Sequence, residues 1–169
     1  VSDWNTSNVT DMFGVFWDCR SLTTLDLSNW DTGNATDMMR MFLDCHNLTT
    51  IYVGADWNTA KVTRSDEMFE DCTNLVGGMG TTYDQNHIDK EYARIDGGPE
   101  CPGYFTAAPQ VVIGDVTGEG DVDVSDVNAV INIILHKKTE ADYPGNADIT
   151  GEGNIDVSDV NAIINIILN

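Results

Sequence analysis

The sequence predicts an α/β solenoid of about three short coils followed by a small all-α module, and three observations carry that prediction. A tryptophan and a cysteine recur together in the first part, at Trp4, Trp30 and Trp57 and at Cys19, Cys45 and Cys72, spaced 26 and then 27 residues apart. Within each recurrence apolar residues fall first at helical and then at alternating spacing. In the last third, GDVTGEGDVDVSDVNAVINIIL from Gly114 aligns with ADITGEGNIDVSDVNAIINIIL from Ala147 at an offset of 33, with 17 of 22 positions identical.

The fullest early unit reads NVTDMFGVFWDCRSLTTLDLSNWDT. Val9, Met12, Phe16 and Cys19 fit one face of a helix, after which Leu25 and Leu27 alternate with Asp26 as in a half-buried strand. Thr10 and Thr36 each precede an aspartate, which predicts an N-cap hydroxyl and a negative charge at the head of each helix. One such unit cannot bury its apolar face alone, so neighbouring coils are expected to stack into one core. Val1 aligns with Leu27, so the chain opens at the end of a strand and further repeats are expected upstream. The third coil carries an extra residue around Gly54-Ala55-Asp56, and the repeat then gives way to TTYDQNHIDKEYARIDGGPECPGYF, which reads as a cap.

SLTTLDLSNWDT, the MFxxCxxL spacing and the YARIDGG and PGYF strings resemble the bacterial BspA-like leucine-rich repeat surface proteins over roughly residues 1 to 106. The resemblance implies an α/β leucine-rich-repeat solenoid of about three coils plus cap, and an exported or surface-attached protein used for adhesion or protein contact. TAAPQVVI reads as a short linker, with Pro109 discouraging helix before it. The expected domains are 1–108 and 109–169.

Each copy of the later repeat reads DxTGEGxxDxxD, an EF-hand-type pattern with oxygen donors at positions 1, 3, 5, 9 and 12 and glycine at 6. Calcium takes six to eight hard oxygen ligands, and the chain wraps it only by turning sharply at position 6, supplied by Gly120 and Gly153. The first loop offers the side chains of Asp115, Thr117, Glu119 and Asp126, the carbonyl of Asp121, and Asp123 directly or through water. The second offers Asp148, Thr150, Glu152, Asn154, Asp156 and Asp159 likewise, so two Ca2+ ions are expected. Without a cation, carboxylates about 4 Å apart repel by roughly 4 kcal/mol at an effective dielectric of 20, which predicts ion-dependent folding. Position 3 is Thr and position 5 is Glu, both departures expected to lower affinity.

Position 12 is Asp where EF-hands carry Glu, and in this the repeat resembles type I dockerins. The second part thus reads as a small all-α duplicated EF-hand-like dockerin module. The resemblance implies a cohesin-type scaffold as protein partner, recognised at loop positions 10 and 11, which are Val124-Ser125 and Val157-Ser158. Because the two pairs are identical, it also implies two binding orientations. Apart from the resemblance, VNAVINIIL and VNAIINIIL are apolar round most of a helix, interrupted mainly by Asn128, Asn132, Asn161 and Asn165. Two packed helices bury one stripe each, so the remaining surface calls for the neighbouring part of the chain or an external protein.

Twenty-eight acidic against eight basic residues give a formal charge of −20, which repels nucleic acid and anionic membranes and favours divalent cations. No run of about 18 apolar residues exists to enter a bilayer. Cys19, Cys45 and Cys72 occupy one repeat position with parallel side-chain vectors, poor geometry for bridging, while a Cys72–Cys101 pair stays open. His46, His87 and His136 are scattered, and no nucleophile elbow, zinc motif or phosphate loop occurs, so no enzyme is expected. The expected function is calcium-stabilised attachment of an extracellular or cell-surface binding domain to a cohesin-type scaffold. The alternative is a surface adhesin whose calcium module is only a cap or spacer, with Thr24, Asp26, Thr50 and Tyr52 on the ligand-facing strand surface.

Overall fold

A computed structural model describes residues 4–109 and 112–169. Contacts divide the chain into two compact units, Val1–Ala108 and Pro109–Asn169. Val1, on which the upstream-strand expectation rests, and the linker residues Gln110 and Val111 lie outside the described residues.

The first unit holds a three-stranded parallel sheet of β1 (Thr24–Leu27), β2 (Thr50–Val53) and β3 (Phe105–Ala107), in that order. Leu25 pairs with Ile51 and Ile51 with Phe105, so one buried row crosses all three strands. On the opposite face Thr24 and Asp26 are exposed, while Thr50, Tyr52 and Thr106 are half-buried. The third strand does not come from the third repeat. Val76 N–H still reaches the Thr49 carbonyl at 2.9 Å, as Thr49 N–H reaches that of Thr23, but Gly77 N–H turns back to Thr81. A Cβ on Gly77 would lie 2.1 Å from the Gly103 carbonyl oxygen, so the returning chain fits only against bare backbone there.

The expected leucine-rich-repeat solenoid, with a helix and a strand in each coil, is not seen. No α-helix occurs among the described residues of this unit, and the helically spaced stretches are successions of turns. Amides of Met12, Gly14, Phe16 and Asp18 bond forward to carbonyls of Asp37, Met39, Met41 and Leu43 in the next repeat. Those of Met38, Arg40, Phe42 and Asp44 do the same to Arg64, Asp66, Met68 and Glu70. A helix would direct these amides to its own preceding turn. Gly14, Arg40 and Glu67, and four residues later Asp18, Asp44 and Asp71, all have left-handed φ between 58° and 64°, which no α-helix accommodates. Thr10 and Thr36 are accordingly not helix caps: Thr36 Oγ1 donates to the Thr10 carbonyl and Thr63 Oγ1 to that of Thr36, a ladder between repeats.

Repeat stacking builds the core. Phe42 stacks on Phe16 at 5.6 Å and on Phe69 at 5.3 Å, with interplanar angles of 1° and 12°. Cys45 and Cys72 are buried beside this stack, their thiols donating to the carbonyls of Phe16 and Phe42 at 3.0 Å. Burial pushes the Cys45 thiol up to about 11 and raises Cys72 as well. All four cysteines are free, Cys101 exposed, so the Cys72–Cys101 bridge is not made.

Asp96 fastens the segment after the third repeat. Its carboxylate is 4% exposed and accepts the amides of Met79, Thr81 and Gly98 and the Thr81 hydroxyl, at 2.7 to 2.9 Å. Burial disfavours its charge, but the four donors outweigh that and hold its pKa at about 2. A depressed carboxylate contributes stability above its unfolded pKa of about 3.9, lost as pH falls through about 2. Asp96→Asn is therefore expected to lower the neutral-pH stability of this unit by about 1–3 kcal/mol and to flatten its acid transition between about pH 4 and 2. Tryptophan-detected urea unfolding across that range checks it; parallel curves for wild type and variant refute it.

The second unit has two α-helices, α1 (Val124–Ile134) and α2 (Val157–Leu168), each following one acidic loop. Val116, Ala129, Val130, Ala147 and Ile163 form its buried core. No helix of the described residues is long and apolar enough to cross a membrane.

Candidate functional site

Each acidic loop is organised by its first and last aspartates. Asp115 Oδ1 accepts the amides of Gly118 and Glu119 at 2.6 and 3.1 Å, and its Oδ2 accepts Gly120 at 2.7 Å. Asp148 repeats this with Gly151, Glu152 and Gly153 at 2.8, 3.2 and 2.8 Å. The carboxylates thus fold each GEG turn round themselves. Gly118 and Gly120, with Gly151 and Gly153, all have φ between 72° and 97°. The sequence singled out only the second glycine of each pair, because the EF-hand pattern specifies position 6.

At the other end, Asp126 and Asp159 are completely buried. Asp126 Oδ1 accepts the amides of Val116 and Thr117 at 2.8 and 2.9 Å and the Thr117 hydroxyl at 3.0 Å, while Oδ2 accepts the Asp123 amide at 2.8 Å. Asp159 makes the same four contacts with Ile149, Thr150 and Asp156. Burial raises the Asp159 pKa, but hydrogen bonds from Asp156, Thr150 and Ile149 prevail and hold it below the usual carboxylate range. These residues also close a capping box, in which Asp123 or Asp156 is the N-cap and Asp126 or Asp159 the third helical residue. The repeated DVSD string carries the signal for this capping box, with an aspartate at the N-cap and another three residues on, but the same two positions also satisfy the EF-hand pattern.

Glu119, Asp123 and Asp126 bring one carboxylate oxygen each to within 4.8 Å of one another, as do Glu152, Asp156 and Asp159. Calcium–oxygen distances of about 2.3–2.6 Å allow ligand oxygens up to about 5.2 Å apart on one ion, so three atoms so spaced fit a common cation. The donors are all hard oxygens, the class calcium selects. Asp115 and Asp148 stand outside these triads. Thr117 Oγ1 lies 3.4 Å from Asp115 and 3.0 Å from Asp126, and Thr150 Oγ1 3.5 Å from Asp148 and 3.1 Å from Asp159, so each threonine links the two ends of its loop. Asp121 and Asn154, at the seventh position, are exposed.

Val124 and Val157 stand 64% and 62% exposed at the first turn of each helix. Ser125 ties its hydroxyl to Glu119 and Asp123, and Ser158 gives its amide to Asp156 at 2.7 Å. Both pairs therefore sit directly against the carboxylate triads. Ile131 and Leu135 on and just after α1, and Ile164, Ile166, Ile167 and Leu168 on α2, are also exposed.

The family described as Mycoplasma protein of unknown function, DUF285, matches residues 1–93, and the type I dockerin domain matches residues 113–168. Neither match is to a leucine-rich repeat. No curated protein and no solved structure matches the chain.

Proposed function

From a chain that belongs to the family described as Mycoplasma protein of unknown function, DUF285, and whose residues 113–168 match a type I dockerin domain, we propose a non-catalytic protein of the cell exterior. Its C-terminal domain, 109–169, attaches it to a cohesin-type scaffold, and its N-terminal domain, 1–108, presents a binding surface. The observation that carries this reading is the repeated placing of an exposed valine and a serine at a helix start, directly beside a carboxylate triad. A cation on the triad fixes the helix start, and the helix start fixes the partner-facing pair. Two ions are proposed, one with Glu119, Asp123 and Asp126 and one with Glu152, Asp156 and Asp159, assisted by Asp115, Thr117 and the Asp121 carbonyl and by their counterparts Asp148, Thr150 and Asn154.

Removing calcium is expected to lower the stability of residues 109–169 by about 2.7 kcal/mol for each of the two sites, relative to protein holding calcium a hundredfold above its Kd. The far-ultraviolet helix signal should fall on chelation and return with calcium, while tryptophan fluorescence stays constant. All four tryptophans lie in 1–108 and both α-helices in 109–169, so the two signals report separate units. Binding to immobilised type I cohesin, in calcium and in chelator, tests the attachment. Val124→Asp with Val157→Asp should abolish capture while the calcium-dependent helix signal persists; capture unaffected by either change refutes the reading.

A further inference from the structure

A cleft of about 700 Å³ opens in the segment after the third repeat, between residues 79–85, Tyr92 and Gly98-Pro99. Its walls are tied together before anything binds. Asp96 holds Met79 and Thr81 on one side and Gly98 on the other through the hydrogen bonds described above. Beneath them Tyr104, fully buried, packs on Tyr92 at 5.0 Å and on Tyr83 at 6.4 Å, and its hydroxyl receives the Asp84 amide at 2.9 Å. This cleft is open to solvent, but its sides share one buried carboxylate, so a ligand loses little affinity to ordering it.

The lining selects the ligand. Met79, Tyr83 and Pro99 supply apolar surface, and Met79 is 70% exposed. Thr82, Gln85 and Tyr92 are also among the lining residues, and none of their side-chain polar groups has a hydrogen-bond partner among the described residues. Asp84 adds a carboxylate, one of whose oxygens accepts from Asn86 and the other from no described residue. No lysine or arginine lines the cleft, and the chain carries −20, so anions are repelled. An apolar peptide would leave the hydroxyls and amide buried without partners, at a cost in affinity for each. We propose that this cleft binds a neutral saccharide of one or two rings, whose hydroxyls meet Thr82, Gln85, Tyr92 and Asp84 while a C–H face lies on Tyr83 and Met79. A volume of this size lies within the ordinary range for small-ligand sites.

Amide correlation spectra of the full chain in calcium, titrated with cellobiose, maltose, lactose, mannobiose and diacetylchitobiose, test the proposal. Glucuronate, spermidine and trilysine serve as anionic, cationic and peptide probes. At least one neutral disaccharide is expected to shift amides of residues 79–85 and 98 at about 10 mM or below. Gln85→Ala and Tyr92→Phe, which remove groups that have no hydrogen-bond partner among the described residues, should each weaken that binding about five- to tenfold at unchanged thermal stability. Chelating calcium should leave it unaltered, so loss of scaffold attachment and loss of sugar binding are separate results. No cleft shift with any neutral sugar, shifts with spermidine or trilysine alone, or binding that both variants leave intact overturns it.

Discussion

Asp126→Ala or Asp159→Ala unfolds residues 109–169 while residues 1–108 keep their structure. Each aspartate is completely buried and accepts three backbone amides and one threonine hydroxyl. Alanine takes from the three amides the acceptor that the structure gives them, while the threonine hydroxyl keeps only its longer contact to Asp115 or Asp148. Unsatisfied buried donors cost about 1–3 kcal/mol apiece, and with partial relaxation the total comes to about 3–5 kcal/mol. A unit of this size is typically stable by about 3–9 kcal/mol, so the loss is comparable with the whole. Loss of the helix signal with unchanged tryptophan emission is the expected outcome. In saturating calcium the loss should exceed the about 2.7 kcal/mol that vacating one calcium site costs, because the hydrogen bonds run between protein groups; a loss no larger than that would show that these residues act through the ion alone.

These hydrogen bonds mark where the sequence stopped being legible. The 33-residue duplication located both acidic loops and the helix that follows each, because EF-hand spacing is a constraint on consecutive residues. It did not reveal that Asp126 and Asp159 also hold the second and third amides of their own loops, since nothing in the spacing distinguishes an oxygen facing an ion from one facing an N–H. In the first unit the strand residues Leu25, Leu27, Ile51 and Val53 alternate as expected and are buried. The helix expectation failed on a coincidence of periods. Turns that repeat every four residues, with left-handed Gly14 and Asp18, put Met12, Phe16 and Cys19 at the same steps as a helical face. Apolar spacing alone cannot separate the two. Hydrogen bonding does, and between the turns it joins residues 25 or 26 apart. β3 was missed because Phe105 lies outside the repeat and takes the place that Gly77 and Gly78 leave without side chains.

The turn ladder makes Phe42→Ala the most damaging single truncation expected in the first unit. Phe42 is fully buried between Phe16 and Phe69 and meets the edge of Phe105 at 6.4 Å. Removing a buried ring costs about 3–5 kcal/mol, toward the upper end where the surroundings cannot collapse. Here they are held apart: Phe16 N–H is bonded to Met41 and Phe42 N–H to Met68, which fixes the repeat spacing, and the Cys72 thiol is anchored on the Phe42 carbonyl. A unit of about a hundred residues loses roughly 4–8 °C of melting temperature per kcal/mol, so a fall on the order of 15–30 °C is expected by tryptophan fluorescence. Trp17→Ala, on an indole 46% exposed, should cost a small fraction of that. If the two variants melted within a few degrees of each other, the stacked rings would not be what holds the repeats together, and the backbone ladder between the turns would have to carry the stability instead.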